Sequence, residues 1–168
     1  MKEYYLEDIN SETAYNYALN IIGGRWPEAE KVIAKDAKFA LYYAENIIKG
    51  RWLKGEKIIA TDAYWSWQYA KHIKGRFPEG EKIIATNAHN SYQYALCVIK
   101  GRFLEGEEVI ATDADFAYYY SKYIIKSRWE EGEKVILNSK HDEEYRKHFS
   151  LRTIEFSSFF KKKVSPIN

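Results

Sequence analysis

Five times along the chain a small residue, an arginine and a large aromatic ring occur in succession: Gly24-Arg25-Trp26, Gly50-Arg51-Trp52, Gly75-Arg76-Phe77, Gly101-Arg102-Phe103 and Ser127-Arg128-Trp129. The arginines are 26, 25, 26 and 26 residues apart, and each motif leads into a charged opener and an aliphatic pair, as in Pro78-Glu79-Gly80-Glu81-Lys82-Ile83-Ile84. A period this short cannot hold two long helices, but it holds one of about 14 residues, a tight corner and one of about 8. A unit of that size cannot bury its own apolar stripe and needs neighbours to cover it. The repeat therefore predicts an all-α fold: an α-solenoid of about five 26-residue helix-turn-helix repeats in a single domain, 1–168. Residues 1–9 are expected as an N-terminal cap, 10–137 as the repeats, and 138–168 as a C-terminal capping helix with a basic tail.

Local signals set the boundaries. Asn10, Asp36, Asp62, Asn87 and Asp113 stand where the longer helix should begin, and their side chains can accept its free first-turn amides. Gly24, Gly50, Gly75 and Gly101 are expected to end it in the left-handed conformation, with Ser127 as the exception. Pro27 and Pro78 suit the first position of the shorter helix, and glutamates fill its first turn. Small residues recur along the longer helix, as in Ala63, Ser66 and Ala70, and mark where neighbouring helices approach closely. Aliphatic pairs such as Ile47-Ile48 should continue that buried stripe. The third unit is one residue short between Ala70 and Gly75, which predicts a bend in the superhelix. At the C-terminus, Ser139 to Lys163 reads as one helix with Tyr145, Phe149, Phe156 and Phe160 along one side.

Charge and composition exclude several classes. Twenty-six basic against 24 acidic side chains give +2, without the basic excess of a dedicated nucleic-acid binder. No apolar run approaches the roughly 18 residues of a membrane span, and the opening MKEYYLEDIN lacks the pattern of a signal peptide. Cys97 alone cannot close an intramolecular disulfide. A cytoplasmic protein without membrane association is expected.

Little in the sequence points to catalysis. There is no Gly-rich phosphate loop and no nucleophile elbow. His141 and His148, near Asp142, Glu143 and Glu144, are two turns apart rather than the compact i, i+4 pair of a helical metal site. Cys97 with His72 or His89 could form a nucleophile–base pair, but a lone cysteine is more often a small packing residue. Lys161 to Lys163 read as a solvated helix end. No enzyme activity, cofactor or metal is expected.

The string Tyr-Ala, two variable residues, Ile-Ile-Lys-Gly-Arg-Trp and then Glu resembles short helical repeats of proteins from tailed bacteriophages and giant viruses. The resemblance covers five units, with Leu53-Lys54 and Leu104 departing from Pro-Glu and Pro. That group has no agreed activity, so the resemblance implies a viral or phage setting, in the host cytoplasm, and little chemistry.

Residues present in every unit most simply serve the contact made in every unit. Tyr17, Tyr43, Tyr69, Tyr94 and Tyr120, the five arginines, and Glu30, Glu56, Glu81, Glu107 and Glu133 are therefore assigned to inter-repeat hydrogen bonds and Arg–Glu pairing. A partner should read what varies. Opposite the small-residue stripe, an i, i+3, i+7 row runs Thr13, Asn16, Asn20; Phe39, Tyr42, Asn46; Trp65, Gln68, His72; Asn90, Gln93, Cys97; then Phe116, Tyr119, Tyr123, with Tyr64 and His89 beside it. Aromatics mixed with amides have the composition of an interaction surface. Phe39, Tyr42, Trp65, Gln68, His72, Phe116, Tyr119 and Tyr123 are the candidate partner-binding residues, unless the rings pack between neighbouring helices instead. The function expected is a non-enzymatic protein–protein interaction module that sterically blocks a host factor, such as a defence component; the partner is a host or viral protein. The alternatives are single-stranded nucleic-acid or nucleotide binding by stacking, disfavoured by the near-neutral charge, and self-association as a homo-oligomeric structural protein.

Overall fold

In a computed structural model, which describes residues 8–151, helix starts at each position where Asn or Asp precedes the small-residue stripe. Asn10 Oδ1 accepts from the Thr13 amide at 2.8 Å, Asp62 Oδ1 from Trp65 at 2.9 Å and Asn87 Oδ1 from Asn90 at 3.0 Å. Asp36 and Asp113 each accept from two first-turn amides. The five capped helices are α1 (Ser11–Tyr17), α3 (Ala37–Tyr43), α5 (Ala63–His72), α7 (Ala88–Tyr94) and α9 (Ala114–Tyr120). Between them lie the shorter α2 (Glu30–Ile33), α4 (Leu53–Ile59), α6 (Pro78–Ile84), α8 (Leu104–Ile110) and α10 (Glu130–Ile136). Helix α11 (Asp142–His148) follows.

Four of the five capped helices continue into a π-turn: Ala18–Ile22, Ala44–Ile48, Ala95–Ile99 and Ser121–Ile125. The third does not; α5 stays α-helical to His72. The amides of Gly24, Gly50 and Gly101 reach carbonyls six residues back, whereas Gly75 reaches Ala70, five back. The residue missing from unit three is thus the one that the π-turn holds elsewhere. The deletion is absorbed as a change of helix type at the helix end.

The left-handed residue lies one position earlier than the glycine pattern suggests. It is Lys49, Lys74, Lys100 or Lys126, with φ between 54° and 59°, and only in unit one a glycine, Gly23 at 68°. Gly24, Gly50, Gly75 and Gly101 are not at positive φ, so left-handed capping is not their role. A lysine in this conformation carries a Cβ–carbonyl clash of roughly 1 kcal/mol, offset in part by a cation's attraction to the helix C-terminus. Lys49→Gly or Lys126→Gly should therefore stabilise the protein by about 0.5–1 kcal/mol each, read as a rise in the urea midpoint at constant m-value.

The strongest packing follows chain order. Helices α1, α3, α5, α7 and α9 lie each against the next, α2, α4, α6 and α8 do likewise, and each short helix also touches the long helices on either side. Ile33, Ile59, Ile84, Ile110 and Ile136 are fully buried, as are the rings of Tyr43, Tyr69, Tyr94, Tyr120 and Tyr145. The pairs Ile47-Ile48 and Ile124-Ile125 are only half-buried, and Ile21 and Ile22 are exposed, so the buried stripe stops short of the helix end.

The short helices approach the long ones through glycine. A Cβ on Gly80 would sit 2.6 Å from the Phe77 ring and 2.8 Å from Ser66 Cβ; on Gly106, 2.5 Å from Phe103 and 2.8 Å from Ser91 Cβ. Unit one has Ala29 at this position. There the short helix starts three residues later in the motif, at Glu30, Pro27 precedes the helix instead of opening it, and Trp26 is half-exposed where Trp52, Phe77, Phe103 and Trp129 are buried.

The C-terminal helix is shorter than expected. Ser150 takes φ 54° and the Leu151 amide bonds back to the Arg146 carbonyl at 2.8 Å, which ends α11 after about two turns. Tyr145 and Phe149 pack there, while Phe156, Phe160 and Lys161 to Lys163, like most of the N-terminal cap, lie outside the described residues. Among the described residues no helix is long and apolar enough to cross a membrane.

Candidate interaction surface

The repeated arginines and glutamates, with the tyrosines from Tyr43 on, form one recurring network. In unit two, Arg51 donates from Nε and Nη2 to the two carboxylate oxygens of Glu56, each at 2.8 Å. Tyr69, on the long helix of unit three, donates to Glu56 Oε1 at 2.7 Å and accepts from the Trp52 amide at 2.7 Å. The same arrangement joins Arg76, Glu81, Tyr94 and Phe77, then Arg102, Glu107, Tyr120 and Phe103. At the first junction both Arg25 nitrogens share Glu30 Oε1, and Lys54 takes Oε2 at 2.7 Å. At the last, Tyr145 of α11 completes the set with Arg128, Glu133 and the Trp129 amide. Tyr43, Tyr69, Tyr94 and Tyr120 each spend the hydroxyl on the preceding unit and lay the ring against the aromatic residue of their own, Tyr43 on Trp52 at 4.8 Å and Tyr94 on Phe103 at 5.1 Å. Tyr17 packs on Trp26 at 5.0 Å.

This arrangement bears out the assignment of the repeated residues to inter-repeat contacts. Tyr145 was readable as a sixth member, because it lies 25 residues after Tyr120, within the same period. The arginine row is no open anion ladder: each guanidinium is about half exposed, but its inward edge is committed to a glutamate.

The network sets the pH range of the fold. For Glu30 and Glu56 burial pushes the carboxyl pKa up, but hydrogen bonds from Lys54 and Arg25, or from Arg51 and Tyr69, outweigh it and hold each below its ordinary 4.5. For Glu81 and Glu133 the arginine hydrogen bond is the largest influence, also downward. Burial raises Tyr43, Tyr69, Tyr94, Tyr120 and Tyr145 above their ordinary 10.0. A depressed carboxyl contributes stability that is present above its unfolded pKa and lost as pH falls through the folded one. A raised phenol contributes stability that is present below its unfolded pKa and lost as pH rises through the folded one. Stability should hence fall below pH 4.5 and above pH 10 and change little between, as checked by urea midpoints across the range.

What remains for a partner is the variable face. Phe39, Tyr42, Trp65 and Phe116 are half-buried against the core, and they bridge successive long helices: Tyr15–Phe39 and Tyr15–Tyr42 at 5.9 Å, Tyr42–Trp65 edge-to-face at 6.0 Å, Tyr92–Phe116 at 5.9 Å. The row is thus both inter-repeat packing and surface. Gln68 and His72 are half-buried. Tyr119 and Tyr123 are exposed, at 36 % and 48 %, with rings stacked at 6.2 Å, and Tyr64 at 43 % stands edge-to-face on Trp65 at 4.7 Å. Two aromatic groups result, one over units one to three and one over units four and five with α11. Asn90, Gln93 and Cys97 lie between them; Asn90 is buried.

The candidate chemical groups are otherwise engaged. Cys97 Sγ lies 3.8 Å from Gln93 Oε1. His89 stacks on Phe116 at 5.2 Å. His141 is buried, stacked on Tyr118 at 4.5 Å with Nε2 2.6 Å from Asp115 Oδ1, so it ties α11 to α9; His148 lies against Phe149. Among the described residues no three His, Cys, Asp or Glu side chains converge as a metal site. No protein-family model matches the chain, and neither a curated protein nor a solved structure matches it.

Proposed function

We propose that the protein is a non-enzymatic protein-binding module, whose variable long-helix face docks a partner protein and blocks it sterically. The observation that carries this reading is the division of labour among the residues. The repeated arginines and glutamates, and the repeated tyrosines from Tyr43 on, are absorbed into the junction networks, while the variable face keeps paired aromatic rings that are already ordered by their neighbours. Such rings offer contact area with few rotatable bonds left to freeze. The resemblance to phage and giant-virus repeats makes a host protein, such as a defence component, the first partner to seek.

Tyr42 and Trp65 also hold units together, so the testing variant should spare them. A Tyr64→Ala, Tyr123→Ala protein should keep the parent's thermal unfolding midpoint within a few degrees, since both side chains are substantially exposed and their ring contacts lie on their own helices. In a pull-down from nuclease-treated host lysate, the parent should retain one protein that this variant does not. Equal retention by both would remove the face from the proposal, and retention lost on nuclease treatment would point to single-stranded nucleic acid.

A further inference from the structure

The long helices of units three and four carry no acidic residue from Ala63 to Lys74 or from Ala88 to Lys100. Where these two helices end, a recess of about 300 Å³ opens between them, lined by Lys71, Lys74, Lys100 and Cys97 with the apolar Ala70 and Val98. It lies at the junction where the unit without a π-turn meets one that has it. Lys54, Lys122 and Lys140 pair with Glu30, Glu144 and Asp115, whereas most other described lysines stand singly on the surface; at the recess three such lysines line one hollow. Among the described residues none of the three recess lysines has an ion-pair partner; Lys71 Nζ lies 5.7 Å from the centre of the Trp67 ring.

We propose that this recess binds the phosphate group of a small phosphorylated molecule, with Lys71, Lys74 and Lys100 as its donors. The three lysines are exposed and long enough to turn their ammonium groups to a dianion seated in the recess, which would accept charge-assisted hydrogen bonds from them. Two helix C-termini oppose an anion, but with about half a negative charge each against three full positive charges. The volume is at the small end of ligand pockets, which suits a phosphate or pyrophosphate with little attached. The inference stands apart from the aromatic-face reading.

Cys97, the chain's single cysteine, reports occupancy of the recess directly. Its alkylation by iodoacetamide, followed by mass spectrometry of the intact protein, should be slowed by inorganic pyrophosphate and not by sodium chloride of equal ionic strength. In a Lys71→Gln, Lys74→Gln, Lys100→Gln protein, half-protection should need at least about tenfold more pyrophosphate. A Lys49→Gln, Lys126→Gln protein, changed at the matching left-handed positions outside the recess, should behave like the parent. Should the triple variant fail to fold by circular dichroism, Lys71→Glu, at an exposed helical position, takes its place. The proposal is overturned by absence of protection, by equal protection from sodium chloride, or by protection unchanged in the lysine variant.

Discussion

Gly80→Ala and Gly106→Ala should each destabilise the protein by about 1–3 kcal/mol, the cost of overpacking a close contact. The direction is informative, because alanine in a helix interior ordinarily gains about 0.5–1 kcal/mol over glycine. Here the new methyl meets a ring edge on one side and a Cβ of the long helix on the other, at 2.5 to 2.8 Å. Neither is the free end of a flexible side chain, so backbone must move. Unit one shows one outcome: with Ala29 in place, the short helix is four residues long instead of seven and Trp26 is half-exposed. For a chain of this size the loss corresponds to a fall of about 3–10 °C in the unfolding midpoint. A rise in midpoint for Gly80→Ala would mean that the helices separate at little cost and that their spacing is not set by glycine.

Why parts of this fold are legible in sequence and others are not follows from the range of the interactions. The Asn and Asp caps are local, each side chain meeting an amide two or three residues on, so Asn10, Asp36, Asp62, Asn87 and Asp113 could be read directly. The Arg–Glu pairs span five residues and recur five times, which makes them equally plain. The helix ends were misread because a Lys-Gly pair offers two candidates for the left-handed residue, and glycine is the intrinsic favourite. In units two to four it is instead the residue just before that pair's glycine, with a π-turn in units two and four and without one in unit three, so the helix end is fixed by its distance from the following Arg-aromatic motif. That turn has no composition of its own; its trace in the sequence is the one-residue deficit of unit three. The variable face was legible as a row and not as a surface. Whether Trp65 faces solvent or Tyr42 depends on the distance between consecutive helices, which small residues and glycines far along the chain determine.

The network at each junction should resolve into unequal parts when it is dismantled one side chain at a time. In the third junction, Glu81→Ala should cost about 2–4 kcal/mol, since it leaves the buried Tyr94 hydroxyl without its acceptor as well as the arginine without its partner. Tyr94→Phe should cost about 1–3 kcal/mol, because the buried Phe77 amide then lacks an acceptor. Arg76→Ala should cost about 1–2 kcal/mol: its own side chain is 54 % exposed and screened by water, but the nearly buried Glu81 carboxylate then keeps only Tyr94 as its donor. Glu81→Ala and Tyr94→Phe combined should cost less than their sum by about 1 kcal/mol, the two groups sharing one hydrogen bond. Urea unfolding of the three single variants and the double one measures all four values. That order follows if desolvated hydrogen bonding joins the units. If Arg76→Ala proves as costly as Glu81→Ala, the junction is held by charge, and its strength should then fall with salt, which a hydrogen-bonded tyrosine between two units does not predict.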